Sequence, residues 1–378
     1  MIVIVTYSDY PNGSPGSIRY ETFTQAYRDI GYRVMVLHKS VTVSDATQEQ
    51  SVYTKNKLER YLLFGYRIIC SIRKLKQTDK IDGIVVGTDV SALHAIIIKA
   101  WCRLTNIKCI FDVTEWYSKE QVSNWLISVP YWDKEITNRF VISKHSRVIA
   151  ISSYLYDYFQ SKGCLVTNIP IIYNHNHNDV ICDENTLNVA LSKDLKIIYA
   201  GSHLLMDNIP LLIQAIALVP ENVRMRIKFT IYGLSESRIK SCVSEDDWNA
   251  AKDSLHIMGR RANSEVVRAY AQTDFSVLLR DPSLRVNKAG FPSKVVESMR
   301  MGVPVICNYS SDLHKYLNHK ENSIIVDNLD ASVVATLLQE LVEMPYIERD
   351  RIGRNARQTI YDKLDTKLFE DNFKYIVS

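Results

Sequence analysis

Short runs of Val, Ile and other apolar residues alternate with helix-forming segments along the whole chain. Continuous apolar runs of this length are typical of parallel strands buried on both faces, and the segments between them fit crossover helices. The first series of predicted strands lies at 2–6, 33–37, 82–86, 107–111, 146–150 and 168–172. Helices are predicted between them near 17–31, 55–77, 90–105, 119–143 and 153–161. The pattern predicts an α/β fold with a doubly wound parallel sheet.

A polar, weakly periodic stretch then interrupts the alternation, after which the pattern starts again. The second series of strands is predicted at 195–201, 227–233, 255–259, 275–279, 303–307 and 322–326. A length of 378 residues favours two domains over one or three. We predict an N-terminal Rossmann-like domain over 1–175, a linker over 176–194, a C-terminal Rossmann-like domain over 195–360 and a last helix over 361–378. Two such domains place two sets of strand carboxyl ends around one cleft, where open α/β sheets bind ligands.

Charge and cysteine usage exclude several classes of protein. With 46 basic and 42 acidic residues, the chain is not a strongly cationic nucleic-acid binder, so no nucleic-acid partner is predicted. The seven cysteines are scattered and never spaced C-x-x-C, which argues against a disulfide framework or a zinc site and favours a reducing compartment. No signal peptide and no apolar run long enough to span a bilayer are recognised, so a cytoplasmic location is expected.

The first candidate ligand loop is NGSPGSIRYETF at 12–23, between the first strand and the first helix. Only 13 glycines occur in the chain, so a cluster of them indicates a backbone requirement. Backbone N–H groups at a helix start favour an anion, which makes this loop an acceptor or phosphate loop. Its candidate residues are Gly13, Ser14, Gly16 and Arg19. The alternative is a plain strand-to-helix turn.

A second cluster, RDPSLRVNKAGFPSKVVESMRMGVPVI at 280–306, concentrates cations at a strand exit and a helix start. The cations are Arg280, Arg285, Lys288 and Lys294. Four cations around a helix N-terminus suit a diphosphate, and the carboxylate of Glu297, one turn inside the helix, can accept hydrogen bonds from sugar hydroxyls. The alternative is a solvated basic surface in which Glu297 merely favours the positive end of the helix dipole.

These residues carry a family resemblance. The segment 289–306, followed by Asn308 and by Ser310-Ser311-Asp312, resembles the donor-binding segment of family 4 glycosyltransferases of the GT-B fold. Most similar is the bacterial surface-polysaccharide subgroup with A-G-F-P-[ST]-K-x-x-E-S. IIYAGS at 197–202, IYG at 231–233 and MGRRANSEVVRAYAQTDFSVLL at 258–279 appear in the family's order.

The resemblance implies that Glu297 holds the ribose of a nucleotide donor and that Lys294 and Arg280 lie near its diphosphate. It also implies that the last helix packs on the N-terminal domain. The other donor-side candidates are Arg285, Lys288, Gly290, Phe291, Pro292, Ser293, Gly201, Ser202, Gly233 and Arg260. Two positions depart from the family pattern: Ala289 replaces the first acid of E-x7-E, and Met206 replaces a lysine that neutralises the diphosphate.

A third cluster, FDVTEWYSKEQ at 111–121, resembles the family's acceptor-side loop. Asp112 and Glu115 leave a predicted strand there and are the catalytic candidates, because a carboxylate can orient or deprotonate an acceptor hydroxyl. The alternative is that both acids cap a helix. No D-x-D triplet occurs, so we expect no required metal and no cofactor besides the donor.

The resemblance implies a retaining transferase that moves a hexose-type sugar from a nucleotide-sugar, with UDP favoured, to a hydroxyl of a glycan or lipid-linked acceptor. A catalytically weak homologue that binds a glycan or a partner, and a sugar-nucleotide epimerase, are the alternatives. Residues 55–76 combine seven cations with apolar residues. This basic amphipathic helix predicts either peripheral contact with the inner face of the cell membrane or an ordinary crossover helix.

Overall fold

The computed structural model describes residues 1–8, 10–11, 15–38, 57–122, 124–174 and 194–378. The chain divides into two compact units. Unit 1 consists of Met1–Asn174, Lys288–Phe291 and Asp365–Ser378, and unit 2 consists of His175–Asn287 and Pro292–Leu364. The predicted linker lies outside the described residues except for Asp194.

Unit 1 is built on a six-stranded parallel sheet in the order β2-β1-β3-β4-β5-β6. Its strands are β1 (Ile2–Val5), β2 (Val34–Leu37), β3 (Gly83–Val86), β4 (Lys108–Val113), β5 (Arg147–Ala150) and β6 (Leu165–Asn168). β1 and β3 are buried throughout, as continuous apolar runs predict for strands with both faces covered. The first half of the chain therefore forms the predicted doubly wound sheet.

Helices connect the strands of unit 1 and cover the sheet. They are α1 (Pro15–Asp29), α2 (Lys57–Thr78), α3 (Ala92–Thr105), α4 (Val129–Ile136) and α5 (Ser153–Ser161). α4 continues into a π-helical turn, Thr137–Val141. The single helix predicted over 119–143 is wrong, because Ser128 caps a new helix at the Tyr131 amide and Pro130 occupies its first turn.

The last predicted strand of unit 1 is shifted. We predicted a strand at 168–172, whereas β6 covers Leu165–Asn168. Pro170 has no N–H to donate to a ladder, so the apolar residues that follow β6 belong to the loop at its carboxyl end. That loop supplies backbone carbonyls to the interior of the unit.

One face of this sheet is covered by residues from both ends of the chain. Helix α15 (Glu370–Val377) places Phe373 against Phe23 and Tyr27 of α1, with ring centroids 5.1 and 4.9 Å apart in edge-to-face geometry. Asn372 donates to the Thr167 hydroxyl at 2.7 Å, and Arg147 donates to the Ile376 carbonyl at 3.0 Å. Residues 365–378 thus complete the core of unit 1.

Unit 2 repeats the architecture with a parallel sheet in the order β12-β11-β10-β7-β8-β9. Its strands are β7 (Leu195–Ala200), β8 (Ile227–Tyr232), β9 (Leu255–Gly259), β10 (Phe275–Leu278), β11 (Val305–Cys307) and β12 (Ile324–Ile325). Every strand predicted in the second series is present. The predicted class, two Rossmann-like α/β domains, is confirmed.

The helices of unit 2 are shorter and more numerous than the sequence indicates. They are α6 (Ile209–Leu218), α7 (Glu221–Arg224), α8 (Glu236–Lys240), α9 (Glu245–Ala251), α10 (Asn263–Tyr270), α12 (Ser293–Arg300), α13 (Ala331–Glu343) and α14 (Tyr346–Lys363). Helix α11 (Arg285–Ala289) begins in unit 2 and ends in the Lys288–Phe291 segment that is assigned to unit 1. α7 to α9 were not predicted, because segments of four to seven residues are too short to show helical periodicity. The main core of unit 2 packs α6 and α13 against β7, β8 and β10.

Helix α2 contains residues 57–76 of the basic amphipathic segment predicted at 55–76, and Lys55 and Asn56 lie outside the described residues. Among its described side chains, Ile68, Ile72 and Leu75 are buried, whereas Arg73 and Lys74 are exposed. Ile68, Ile72 and Leu75 thus serve the interior of unit 1, whereas Tyr66 is exposed, and membrane contact through this helix stays a prediction. In the part of the chain that the structure describes, no helix combines the length and the apolar character needed to cross a bilayer.

Candidate functional site

The chain reverses its direction across the sheet of unit 2 between β7 and β10. From β7 it proceeds outward to β8 and β9 and then returns to place β10 on the other side of β7. Loops that leave neighbouring strands at such a point diverge and open a crevice, which is where open α/β sheets bind ligands. The loop after β7 runs from Gly201 to Asp207, and the loop after β10 begins at Arg280.

A buried carboxylate joins these two loops to helix α12. The side chain of Asp207 has no exposed surface. Its Oδ1 accepts a hydrogen bond from Arg280 Nε at 2.9 Å, and its Oδ2 accepts one from the Tyr199 hydroxyl at 2.8 Å. Lys294 Nζ forms an ion pair with the same Oδ2 and lies over the Tyr199 ring, 4.8 Å from its centroid. We call these four residues the Asp207 cluster.

The charges of the Asp207 cluster perturb one another. Burial by itself would raise the pKa of Asp207, but Arg280 and Lys294 outweigh it and hold this pKa below its usual range. Burial lowers the pKa of Lys294, and Asp207 compensates for that penalty only in part. Two cations around one carboxylate leave a net positive charge at the crevice, which favours an anionic ligand.

Two glycines allow the strand ends to approach each other here. A Cβ atom on Gly201 would collide with the Lys294 ammonium. Gly233 follows β8 with φ of +86°, and a Cβ atom there would lie 2.5 Å from the Gly201 carbonyl oxygen. Only glycine fits both the left-handed conformation and the close contact. The predicted requirement for glycine at these two positions thus has a steric cause, while contact with the donor stays a prediction.

The first turns of α12 present Glu297 beside the Asp207 cluster. Glu297 lies one turn after Ser293, which donates a hydrogen bond to its carboxylate. The Glu297 side chain is exposed, yet desolvation by the surrounding protein raises its pKa. Ser293, Lys294 and Arg300 lower this pKa, but their combined effect is smaller. An exposed carboxylate beside the Asp207 cluster is accessible to a ligand in the crevice.

An amide fixes the start of the loop after β10. Asn308 follows β11, and its Oδ1 accepts from the Arg280 amide at 2.8 Å while its Nδ2 donates to the Arg280 carbonyl at 2.7 Å. This pair of bonds holds the Arg280 backbone as a neighbouring strand would. The backbone from which the Arg280 side chain extends is therefore held in place.

The other predicted donor residues are dispersed. Ser202 is exposed, and its carbonyl accepts from Arg238 at 3.1 Å; Arg260 is exposed after the edge strand β9. Pro292 is buried and precedes α12, and Arg285 is half-buried in α11. Lys288, Gly290 and Phe291 belong to unit 1. None of these seven has a ligand role assigned by the structure, and their binding roles stay predictions.

Unit 1 has a corresponding reversal between β1 and β3. There Asp89 Oδ2 accepts from the Thr6 hydroxyl at 2.7 Å and from the Ser8 amide and hydroxyl at 2.7 and 2.8 Å. A Cβ atom on Gly16 would lie 2.8 Å from Ser8 Oγ, so the start of α1 requires a residue without a side chain. Gly13 and Ser14, also predicted in this loop, lie outside the described residues.

The two predicted catalytic acids have different surroundings. Asp112 is buried in β4, where both its oxygens accept from Arg19, at 2.9 and 2.7 Å. Arg19 also donates to the carbonyls of Ile169 and Pro170, at 3.2 and 2.9 Å. This buried pair ties α1 to the sheet, so the geometry supports a structural role for both residues. Their predicted catalytic and phosphate-binding roles stay untested.

Glu115 is the more accessible acid. Its side chain is about one-third exposed, and its Oε1 accepts from the Tyr117 hydroxyl at 3.0 Å and lies 3.3 Å from Lys134 Nζ. Lys134 is nearly buried and also donates to the Thr88 carbonyl. Burial, and next Glu115, raise the pKa of Tyr117, so the phenol stays protonated at neutral pH. Glu115 is thus oriented by two donors while one edge remains open.

Sequence reasoning missed the groups that hold these sites together. Asp207 and Tyr199 organise the cations of unit 2, and Lys134 and Asp89 organise the loops of unit 1. Asp207 carried one usable signal, because it follows Met206 in the segment compared with the family's lysine motif. Lys134 lies in a helix that is distant from Glu115 in sequence, and no local sequence pattern predicts their contact.

Comparisons with known proteins agree with this geometry. Residues 186–359, a little under half of the chain, match the family model described as glycosyl transferases group 1. The amylovoran biosynthesis glycosyltransferase AmsK of Erwinia amylovora is 25% identical over 113 residues. That alignment covers 29% of this chain and 26% of AmsK, so the chain matches only about a quarter of this curated relative.

Solved structures resemble the chain over nearly its full length. Anabaena Alr3699/HepE in complex with UDP-glucose has a TM-score of 0.64 at 16% identity, covering 99% of this chain and 98% of that one. WaaG, a glycosyltransferase involved in lipopolysaccharide biosynthesis, has a TM-score of 0.67 at 12% identity and covers both chains completely. Together with the two parallel sheets, these likenesses show the GT-B fold that the resemblance implied.

Proposed function

We propose that this chain is a retaining, metal-independent glycosyltransferase that moves a hexose-type sugar from a nucleotide-sugar to a hydroxyl of a glycan or lipid-linked glycan. A UDP-sugar is the favoured donor, because Alr3699/HepE shares the fold and binds UDP-glucose. Surface-polysaccharide synthesis is the favoured role, because the partial relative AmsK acts in amylovoran biosynthesis. The place of action is then the cytoplasm or the inner face of the membrane.

The observation that carries the proposal is the Asp207 cluster with Glu297 beside it. Arg280 and Lys294 converge on the crevice at the carboxyl edge of β7 and β10 and are partly accessible, with 13% and 19% of their side-chain surface exposed. A helix start adds the positive end of its dipole. A diphosphate and the sugar hydroxyls attached to it match this arrangement of cations followed by a carboxylate.

Each of these groups has a distinct task in the proposed reaction. Breaking the glycosidic bond of the donor leaves negative charge on the departing diphosphate, which Arg280 and Lys294 stabilise without a metal ion. Glu297 accepts hydrogen bonds from the ribose and so fixes the donor's position. The rate gain then comes from orientation and from stabilisation of the leaving group.

Glu115 is the proposed group on the acceptor side. Its open carboxylate edge can accept the proton of an acceptor hydroxyl or orient that hydroxyl, while Tyr117 and Lys134 hold the side chain in place. Asp112 is the weaker candidate, because Arg19 already occupies both of its oxygens.

Donor screening tests the proposal. Thermal shift with UDP-, GDP- and CMP-sugars should show stabilisation by one class, and nucleotide release should then depend on added acceptor. Glu297→Ala and Lys294→Ala should weaken donor binding about tenfold or more. Arg354→Ala, which removes an exposed guanidinium from α14, serves as the control and should leave binding unchanged.

Three results would redirect the assignment. Absence of binding by every nucleotide-sugar would defeat the transferase proposal. Donor binding without any transfer would favour the weak homologue, for which Met206 in place of lysine is the specific support. Isomerisation of a UDP-sugar in the absence of an acceptor would favour an epimerase.

A further inference from the structure

Helix α3 exposes apolar residues instead of covering them. Leu93, Ile96, Ile97 and Leu104 are all exposed, at spacings that place them along one side of the helix. The opposite side is buried and faces the sheet, with Ala95, Ile98 and Cys102 among its residues. A surface helix ordinarily turns charged or polar side chains to water, so this exposed stripe, which we call the α3 stripe, needs a partner.

A second stripe runs along α4 and the π-helical turn that follows it. Val129, Trp132, Ile136 and Phe140 recur at intervals of three or four residues and are exposed, Val129 and Phe140 by 77% and 73%. Trp132 Nε1 donates to the Leu126 carbonyl at 3.0 Å, which holds the preceding loop against the helix. We call this set the α4 stripe.

The two stripes lie on neighbouring elements of unit 1. Helix α3 packs against both α4 and the π-helical turn. Lys99 of α3 donates to the Val141 carbonyl at 2.6 Å and to the Ser143 hydroxyl at 2.7 Å. Asp133 of α4 accepts from the Ala92 amide at 2.8 Å. These bonds fix the helices as one layer, so the stripes belong to a single surface.

The exposed charge on α3 and on the neighbouring helix α2 has one sign among the described residues. The exposed charged side chains on α3 and on the described part of α2, which packs beside it, are all cationic. They are Arg73, Lys74, Lys76 and Arg103. On α4, Asp133 and Glu135 are engaged by the Ala92 amide and by Arg139. Exposed apolar groups bordered by cations match a bilayer with anionic headgroups.

We propose that unit 1 binds the surface of an anionic phospholipid bilayer through the α3 and α4 stripes, with the cations of α2 and α3 contacting the headgroups. This surface lies on other helices than the amphipathic segment predicted in α2, of which Ile68, Ile72 and Leu75 are buried within unit 1. The proposal does not depend on sugar transfer.

Vesicle flotation of the full chain tests it. The probes are vesicles of phosphatidylcholine alone and of phosphatidylcholine mixed with phosphatidylglycerol. The wild-type protein should float with the anionic vesicles and lose binding as salt is raised. The triple variant Leu104→Ser/Val129→Ser/Phe140→Ser should bind at least about tenfold more weakly, because three exposed apolar side chains of the two stripes no longer enter the interface.

A matched control removes the same kind of side chain elsewhere. Leu218→Ser/Met225→Ser/Ile347→Ser replaces three exposed apolar residues of unit 2 and should leave vesicle binding unchanged. The charge variant Lys74→Gln/Arg103→Gln should reduce binding to anionic vesicles by about twentyfold. Unchanged thermal midpoints establish that all three variants remain folded.

Three outcomes would overturn the proposal. The first is a wild-type protein that ignores anionic vesicles. The second is an equal loss of binding in the stripe variant and in the unit 2 control. The third is concentration-dependent self-association that the stripe variant abolishes, since the surface would then be an interface between two copies of the chain.

Discussion

Replacing Asp207 by Asn should destabilise unit 2 by about 3 kcal/mol. Removing one partner of a buried ion pair costs about 3–5 kcal/mol, because the remaining charge stays buried without compensation. The Asp207 side chain is fully buried, while Lys294 and Arg280 keep 19% and 13% of their surface. Their residual hydration places the expected loss at the lower end of that range.

A double-mutant cycle with Lys294→Met isolates the interaction itself. Lys294→Met alone should cost about 1–2 kcal/mol, since Arg280 and Tyr199 still donate to Asp207. In the double variant Asp207→Asn/Lys294→Met, no buried ammonium is left without its carboxylate. The stability lost by the double variant should therefore be about 1.5 kcal/mol smaller than the sum of the losses of the two single variants. Additivity within about 0.5 kcal/mol would refute the reasoning, because groups that do not interact behave additively.

The assay must report on unit 2 alone. Urea-dependent hydrogen exchange of peptides from β7, β10 and α12 meets this need. Asp350→Asn is the matched control, because Asp350 forms an exposed pair with Arg354 and should contribute less than about 0.5 kcal/mol. Since the folded pKa of Asp207 is lowered, its contribution is complete above the ordinary Asp range and is lost as pH falls through the lowered pKa. The Asp207→Asn loss should therefore be constant from about pH 5 to 8.

Three further results are expected. Gly233→Ala should lower the unfolding free energy by about 3 kcal/mol or more in urea titrations, whereas Gly31→Ala, at φ of +91° with open space around it, should cost only about 1 kcal/mol. Arg19→Met should destabilise unit 1 by about 3 kcal/mol, measured by hydrogen exchange, and adding Asp112→Asn to this variant should lower the stability little further. If the two substitutions instead lower the stability additively, the two residues do not act as a structural pair. Because desolvation raises the pKa of Glu297, donor affinity measured by calorimetry should begin to fall above the ordinary Glu range as pH decreases, and Glu297→Gln should remove this dependence.

Hydrophobic alternation predicted most of the fold. Central strands such as β1, β3 and β10 are buried on two faces, so they appear in the sequence as short, largely apolar runs. The predicted elements were wrong where burial or capping in the folded chain, which the local sequence pattern does not show, decides the structure. The segment 119–143 looked like one helix, but a cap and a proline divide it. The loop at 169–172 looked like a strand, because its apolar residues are buried without pairing in the ladder.

The candidate site was predictable in its cations, its glycines and Glu297. Arg280, Lys294 and Glu297 lie close together in sequence, around one strand exit and one helix start, so a local pattern could reveal them. Asp207 joins that group from another loop, and its Oδ1 meets Arg280 across 73 positions of the chain. Contacts of that kind depend on strand order, which the sequence of a single protein does not display.

The participation of residues 365–378 in unit 1 has a consequence for synthesis on the ribosome. The sheet of unit 1 is translated first, yet the helix that covers Phe23 and Tyr27 emerges only after roughly 190 further residues. At about 5–20 residues per second, that interval lasts about 10–40 s. During this time the nascent chain carries an uncovered aromatic surface, so unit 1 reaches its final state after unit 2 has been made, and chaperones have a long window in which to bind it.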